Sequence, residues 1–367
     1  VPERCAIVGG GLAGLVVYAT LRSGGLEPSE IAVFGTDEDP ARPWVRRASA
    51  IRQRRMRSES DGHCLPRTFP GLAVREAVRR RSPLPLVATV FDRYHPTVDD
   101  FVEHVAAVRA SSGWGESFRR RRIRRVLAVE GGFALDEHGT FPHVVLALGH
   151  PALNMPDWAR GDPCCTHAYE PHDYAETVEV VGAGMAAATE WLNALAAGAS
   201  VVSVRRREPA RRPLNVPREL FSRRGLARFH RTEPEERAFI LRRLGVPSYP
   251  PGRAWDEPLA AAAREGRFRV AQERNGADQV ICATGFVRGF GRDALLARLV
   301  ADHGLATAAD WIVLDPDSTV PGLTDSSKTL SLAGTAGQWA FPAADTLAGA
   351  RFAAHGFLRK VLECPTR

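Results

Sequence analysis

Two clusters of small residues carry the strongest chemical signal in the chain. Gly9, Gly11 and Gly14 fall at GxGxxG spacing, and Gly182, Gly184 and Ala187 at GxGxxA spacing. In such a turn the first glycine takes a tight bend, the second lets backbone approach a pyrophosphate, and the third small residue lets helix and strand pack closely. The phosphates then meet the positive end of the following helix. A third cluster, Arg205, Arg206 and Arg207, begins 18 residues after Ala187, where a dinucleotide site reads the adenosine ribose. An NAD-specific site places an acid there. Arginine instead pairs with a ribose 2′-phosphate, so NADPH is expected in preference to NADH.

These residues need a strand, a turn and a helix in that order, and both stretches supply them. "CAIVGGGLAGLVVYATL" reads as a strand over Cys5 to Val8, the turn, and a helix from about Ala13 to Leu21, with a second strand at Ile31 to Phe34. "TVEVVGAGMAAATEWLNALAAGASVVSVRRR" reads as a strand over Val178 to Val181, a helix to about Ala197, and a strand over Ser200 to Val204. The tip of the Ile31 to Phe34 strand is where an acid meets the first nucleotide's ribose, but Gly35 and Thr36 come first. Asp37 or Glu38 has to reach back. Two separate fingerprints imply two cofactors, and the economical pair is a bound FAD and an exchangeable NADPH, because hydride passes from nicotinamide to flavin.

The remaining composition narrows the class. At 367 residues the chain suits about two domains at roughly 150 residues each. Its 44% hydrophobic and 25% charged residues are those of an ordinary globular protein. The net charge of +7 invites a nucleic-acid partner. However, Lys328 and Lys360 are the only lysines, so 47 of the 49 basic residues are arginines, spread along the chain with no recognition motif. Nucleic acid is not expected, nor is a membrane, since the uncharged run near the N-terminus, Ala6 to Leu21, stops short of the roughly 18 apolar residues of a span. The six cysteines are scattered without a CxxC pair. That spacing indicates neither zinc nor a disulfide framework and suits a reducing cytoplasm.

Between and after the fingerprints, residues 119–149 read as short alternating strands, with the arginines of Arg119 to Arg125 on a polar face or sheet edge. Two apolar strands end alike: "VVLALGHP" (Val144 to Pro151) and "QVICATGF" (Gln279 to Phe286) both finish at Ala-x-Gly.

With FAD motif, first "ALG" (Ala147 to Gly149), NADPH motif, "ATG" (Ala283 to Gly285) and the C-terminal "LAGTAGQWAFPAADTLAGARFAA" in this order, the chain resembles the flavoproteins with two dinucleotide-binding domains. Within them it is similar to the flavin-containing monooxygenases and the ornithine or lysine N-hydroxylases. The resemblance implies an α/β fold of two Rossmann-like domains, the NADPH domain inserted in the FAD domain. The FAD domain would hold residues 1–165 and 277–367, and the NADPH domain 166–276. It makes Gly285 part of the second crossing and Gly334, Asp345 and Thr346 part of the last flavin element, where Asp345 or Thr346 would cap the final helix. The segment from Arg52 to His63, following Trp44, falls where these enzymes set a loop against the flavin. Trp44, Met56, Arg57, Ser58 and Ser60 are therefore flavin-side candidates, and Asp61 or His63 would manage protons.

The linker signature of the flavin monooxygenases is altered here. Gly161 and His167 lie six apart instead of four, and the upstream aromatic is Trp158. His167 is read as a hydrogen-bonding residue between domains, and vicinal Cys164 and Cys165 as ordinary thiols. The activity implied is an FAD-dependent, NADPH-using monooxygenase. It would form a C4a-(hydro)peroxyflavin and oxygenate a small-molecule amine, sulfur or carbonyl compound with dioxygen. The rival is an NADPH-dependent reductase passing electrons to a protein or quinone. A non-enzymatic dinucleotide sensor is a third reading that two intact fingerprints disfavour.

Overall fold

Two five-stranded parallel sheets, built to one plan, organise the computed structural model, which describes residues 3–56, 71–90, 94–212 and 216–363. The N-terminal stretch runs β1 (Cys5–Val8), α1 (Leu12–Ser23), β2 (Ile31–Gly35), α2 (Arg42–Ala50), α3 (Gly71–Arg80), α4 (Leu84–Val90), α5 (Val98–Ser112), α6 (Trp114–Ser117) and β3 (Phe118–Arg120). A meander of β4 (Val126–Val129), β5 (Gly132–Leu135) and β6 (Thr140–Phe141) precedes β7 (His143–Leu148). The middle stretch holds β8 (Cys165–His167), β9 (Thr177–Val181), α7 (Met185–Ala196), β10 (Ser200–Val204), β11 (Ala210–Arg211), α8 (Arg223–His230), α9 (Pro234–Leu244), β12 (Ser248–Tyr249), α10 (Arg253–Arg264), β13 (Phe268–Ala271) and β14 (Gln279–Cys282). The chain continues through α11 (Ala294–His303), β15 (Thr307–Ala308), β16 (Trp311–Ile312), β17 (Thr329–Gly334) and α12 (Leu347–Glu363).

The first sheet has the order β3-β2-β1-β7-β17 and the second β13-β10-β9-β14-β8. Each therefore places its fingerprint strand at the centre, the strand after the fingerprint helix on one side and the Ala-x-Gly strand on the other. Central parallel strands are covered on both faces and read as unbroken apolar runs, which is why Cys5–Val8 and most of His143–Leu148 are buried throughout.

Side chains alternate across the first sheet. Val8, Phe34, Leu146 and Leu332 face one core with the meander and α11, while Ile7, Val33, Val145 and Ala147 face another with α1, α5 and α12. Around the second sheet Val178, Val180, Val201 and Ile281 enclose the fully buried Trp191 of α7.

Two expectations change. The stretch from Arg119 to Gly149 is not one set of alternating strands. Phe118–Arg120 is a parallel edge strand of the first sheet, and only β4, β5 and β6 form the antiparallel meander. Residues Gln279–Cys282, expected to lie beyond the NADPH unit's end at 276, pair with β9 and β8 in the second sheet. No helix among the described residues is long and apolar enough to cross a membrane, and no described cluster of His, Cys, Asp or Glu is arranged to hold a metal. Cys5, Cys164, Cys165 and Cys282 are free thiols.

Candidate functional site

The two fingerprint turns share one geometry. Gly9 has φ +127° and Gly182 φ +135°, a region closed to most side chains. Gly9 donates its N–H to the Phe34 carbonyl at 2.8 Å, and Gly182 donates to that of Val204 at 3.1 Å. A Cβ on Gly9 would stand 2.2 Å from the Ala147 carbonyl oxygen, and one on Gly182 2.5 Å from that of Ala283. The two Ala-x-Gly strand ends thus supply the wall against which each turn closes. Gly14 completes the first, since a Cβ there would meet the Gly9 carbonyl oxygen at 2.0 Å. In the second turn Ala187 fills the corresponding place, fully buried.

Gly11 and Gly184 differ from these. They are the N-caps of α1 and α7, with φ/ψ of −87°/−169° and −88°/−168°, and neither helix start has a side-chain cap. A Cβ on Gly11 would meet nothing within 4 Å, and one on Gly184 only Pro247 at 3.9 Å or beyond. The chain tolerates a side chain at these places, so the missing Cβ keeps open the space before an uncapped helix N-terminus. That space is what a pyrophosphate needs, and both turns fit a dinucleotide on this observation.

The ribose-reading positions diverge. At the end of β2 a Cβ on Gly35 would come within 2.9 Å of Gly10 backbone, so touching backbones replace an acid. Asp37 accepts the Asp39 N–H at 3.1 Å and pairs with Arg42 at 3.3 Å, and Glu38 pairs with Arg109. Both acids are already engaged. At the end of β10, Arg205 lies 5.3 Å over the Trp191 ring and bridges Glu208 at 3.0 Å, with its side chain only 11% exposed. Arg206 and Arg207 are exposed.

Where the two sheets meet, an aromatic column joins the segments that follow their strands. His150 stacks on Phe286 with centroids 4.3 Å apart, Phe286 on Tyr169 at 4.9 Å, and Tyr169 on His167 at 5.7 Å. The Arg47 guanidinium of α2 lies 4.8 Å from the Phe286 centroid. The same segments are bonded by backbone, Asn154 N–H to the Gly285 carbonyl at 2.9 Å and Val287 N–H to that of Ala152 at 3.0 Å.

His167 ends β8 and is hydrogen-bonded, but its partner Gly285 follows the neighbouring strand β14, so the bond ties two strand ends of the second sheet. Its Nδ1 accepts the Tyr169 N–H, leaving Nε2–H to donate to the Gly285 carbonyl at 3.0 Å. Burial lowers its pKa. Burial, then the charges of Arg288 and Arg47, lower that of His150 to about 4, so both rings are neutral at pH 7. The sequence reading missed His150, Tyr169 and Phe286. Its available signal was a ring directly after each Ala-x-Gly, at His150 and Phe286.

The final element closes the site. Gly334, with φ +66°, ends β17 against the Leu148 carbonyl, and Gly285 has φ +75°. Thr346, not Asp345, caps α12, its Oγ1 accepting the Gly349 N–H at 3.2 Å. Asp345 is solvent-accessible, yet desolvation by surrounding protein raises its pKa against the opposing charge of Arg288.

Trp44 packs edge-on to Phe101 at 5.3 Å. Met56 is buried in the core with Leu72 and Tyr94. Arg57, Ser58, Ser60, Asp61 and His63 lie outside the described residues. A cavity of about 210 Å³ lies beside the strand ends and is lined by Gly149, His150, Thr335, Arg242 and Arg288 among others.

No family model matches the chain, and no curated protein sequence matches it. Solved structures do match along the whole length. An ornithine N-hydroxylase of Kutzneria sp. 744, with reduced FAD, NADP+ and L-ornithine, matches at 15% identity and a TM-score of 0.73, covering 99% of each chain. A cadaverine monooxygenase of Erwinia amylovora bound to FAD matches at 11% identity and a TM-score of 0.71, covering 100% of this chain and 96% of that one. A bacillithiol disulfide reductase of Staphylococcus aureus matches at 12% identity and a TM-score of 0.62, covering 98% of each. At these identities the likeness establishes the fold, the mixed α/β architecture with parallel sheets that such flavoproteins share.

Proposed function

We propose that the chain is an FAD-dependent, NADPH-using monooxygenase of small amines, built as two Rossmann-like units with the NADPH unit inserted in the FAD unit. The observation that carries this reading is the paired geometry of Gly9–Gly11 and Gly182–Gly184 at the centres of two like-ordered sheets. Likeness in fold to N-hydroxylases of ornithine and cadaverine supports the choice of amines. The units expected from the sequence are 1–165 with 277–367 for FAD and 166–276 for NADPH, and the pairing of β14 with β9 moves Gln279–Cys282 from the first unit to the second.

The first unit would hold FAD on Gly9, Gly11 and Gly14, with Gly334 and the Thr346-capped start of α12 toward the ring. The second would hold NADPH on Gly182, Gly184 and Ala187, with Arg206 or Arg207 on the 2′-phosphate. When bound, FAD supplies the capacity to take hydride from NADPH and to activate dioxygen. The chain's own part is positional. The uncapped starts of α1 and α7 attract phosphate, and the positive end of α12 favours negative charge at its tip. The aromatic column fixes how the two units face each other, and the cavity walls keep water from the acceptor. Asp61 and His63 remain the proposed proton handlers.

A reductase is the second reading, favoured by the fold likeness to the disulfide reductase. The sequence has no CxxC or CxxxxC pair for disulfide exchange, so that reading needs another acceptor. Product analysis after NADPH-driven turnover separates the two: hydroxylated amine supports the proposal, and oxidation of NADPH with peroxide as the sole oxygen product contradicts it.

A further inference from the structure

We infer that Arg242 and Arg288 form an anion subsite in the cavity beside the strand ends, so that the acceptor amine carries a carboxylate at its far end and a plain diamine is rejected. The inference rests on the proposed amine oxygenation for the identity of the reacting group, but not for the anion site itself.

The cavity has two differing ends and an apolar middle. Gly149, His150 and Thr335 follow β7 and β17, at the end proposed for the flavin. Leu241, Phe290, Leu296 and Ile312 supply apolar wall. Arg242 comes from the last turn of α9 and Arg288 from the segment after the second Ala-x-Gly. Both arginines are solvent-accessible, and neither guanidinium has a hydrogen bond or ion pair with another described residue.

The lining also contains two carboxylates. Asp293 is committed to the start of α11, where it accepts the N–H groups of Leu295 at 3.0 Å and Leu296 at 3.1 Å, and the helix's positive end offsets its charge. Asp310 is exposed and packs toward Gly289. One uncommitted carboxylate therefore faces two uncommitted guanidinia, and His150 adds no charge at pH 7. The charge of Arg288 is felt inside the site, since it acts on both His150 and Asp345.

Both guanidinia are exposed and water screens them in the open cavity, and a ligand lying along the apolar wall displaces part of that water. A carboxylate there gains charge-assisted hydrogen bonds from planar donors suited to it, whereas a second ammonium meets like charge. An apolar chain with an amine at one end and a carboxylate at the other matches this arrangement.

The test uses the FAD-loaded enzyme and four ligands of equal chain length: 6-aminohexanoate, hexylamine, 1,6-diaminohexane and hexanoate. Dissociation constants come from calorimetry, and oxygenation from product analysis with NADPH. We expect 6-aminohexanoate to bind about tenfold or more tighter than hexylamine, the diamine to bind weakest, and hexanoate to bind although it has no amine. Arg288→Gln and Arg242→Gln should each erode the carboxylate preference and leave the hexylamine constant unchanged. The subsite is overturned if the diamine binds tightest, if hexanoate fails to bind, or if both variants keep the preference. If hexanoate binds in an arginine-dependent way but no amine is oxygenated, the subsite stands and the amine reading falls.

Discussion

His150 lies face to face with Phe286, centroids 4.3 Å apart and planes 6° from parallel, so the residue after the first Ala-x-Gly is stacked on the residue after the second. Each segment leaves a different sheet, and the stack ties them where they cross. Phe286→Ala removes the middle of the column. It should cost about 2 kcal/mol of stability, less than a fully buried phenylalanine because the ring is half-buried. It should also slow flavin reduction by NADPH at least tenfold while leaving chemical reduction of the bound flavin unchanged. Anaerobic rapid mixing with NADPH and then with dithionite checks this, and an unaltered NADPH rate would remove the column's positioning role.

The glycines of the first turn should separate folding from binding. Gly9→Ala forces a Cβ against the Ala147 carbonyl at a positive φ and should cost about 3 kcal/mol or more in urea unfolding. Gly11→Val projects into open space, so the folded protein should survive with near-normal stability and lose FAD. Flavin content measured beside an unfolding curve decides the point. Retained FAD in Gly11→Val contradicts the assignment of this turn.

The arginines after β10 should divide in the same manner. Arg205 is stacked on Trp191 and paired with Glu208, so Arg205→Ala should cost about 1 kcal/mol of stability through lost packing and cation–π contact. Arg206→Ala should weaken NADPH by about ten- to a hundredfold through loss of a charge-assisted contact and hardly change NADH. Flavin reduction titrated with each nucleotide is the measurement, with Arg207→Ala as companion. Equal losses for both nucleotides would reduce these arginines to a solvated strand end.

Much of this arrangement was legible because it depends on local spacing. The strand-turn-helix units around Gly9 and Gly182 are fixed by glycine placement and apolar runs, and the strands after them follow directly. The edge strand Phe118–Arg120 was not legible, because its partner β2 lies more than 80 residues earlier and its arginines read as surface. The column from His150 to His167 escaped for a related reason: each ring looks unremarkable alone, and only the crossing of two sheets stacks them. Thr346 and Asp345 were equal candidates for the α12 cap until the hydrogen bond to Gly349 separated them.

Acid should loosen the fold at two histidines. Burial lowers the pKa of His143 to about 4, with Arg4 adding to the effect. Burial, Arg288 and Arg47 lower that of His150 to the same value. Between the unfolded value near 6.5 and about 4 the unfolded chain binds more protons, so stability is full above pH 6.5 and falls as pH drops toward 4. Each contributes roughly 3 kcal/mol at most, reduced by solvent screening. His150→Phe keeps a ring on Phe286 without the titration. Its loss of stability between pH 7.5 and pH 5 should be smaller than that of the parent protein, and an equal loss would assign the acid sensitivity elsewhere.

Two nucleotide units that join to oxygenate should reveal themselves when the reduced holoenzyme is mixed with dioxygen. Anaerobic protein is reduced with one equivalent of NADPH, mixed with oxygenated buffer, and followed by absorbance with product analysis in the presence of 6-aminohexanoate. A monooxygenase should show a spectrally distinct transient before oxidised flavin returns, and hydroxylated amine formed in proportion to NADPH consumed. A single-step return to oxidised flavin, with hydrogen peroxide in place of product, would contradict it.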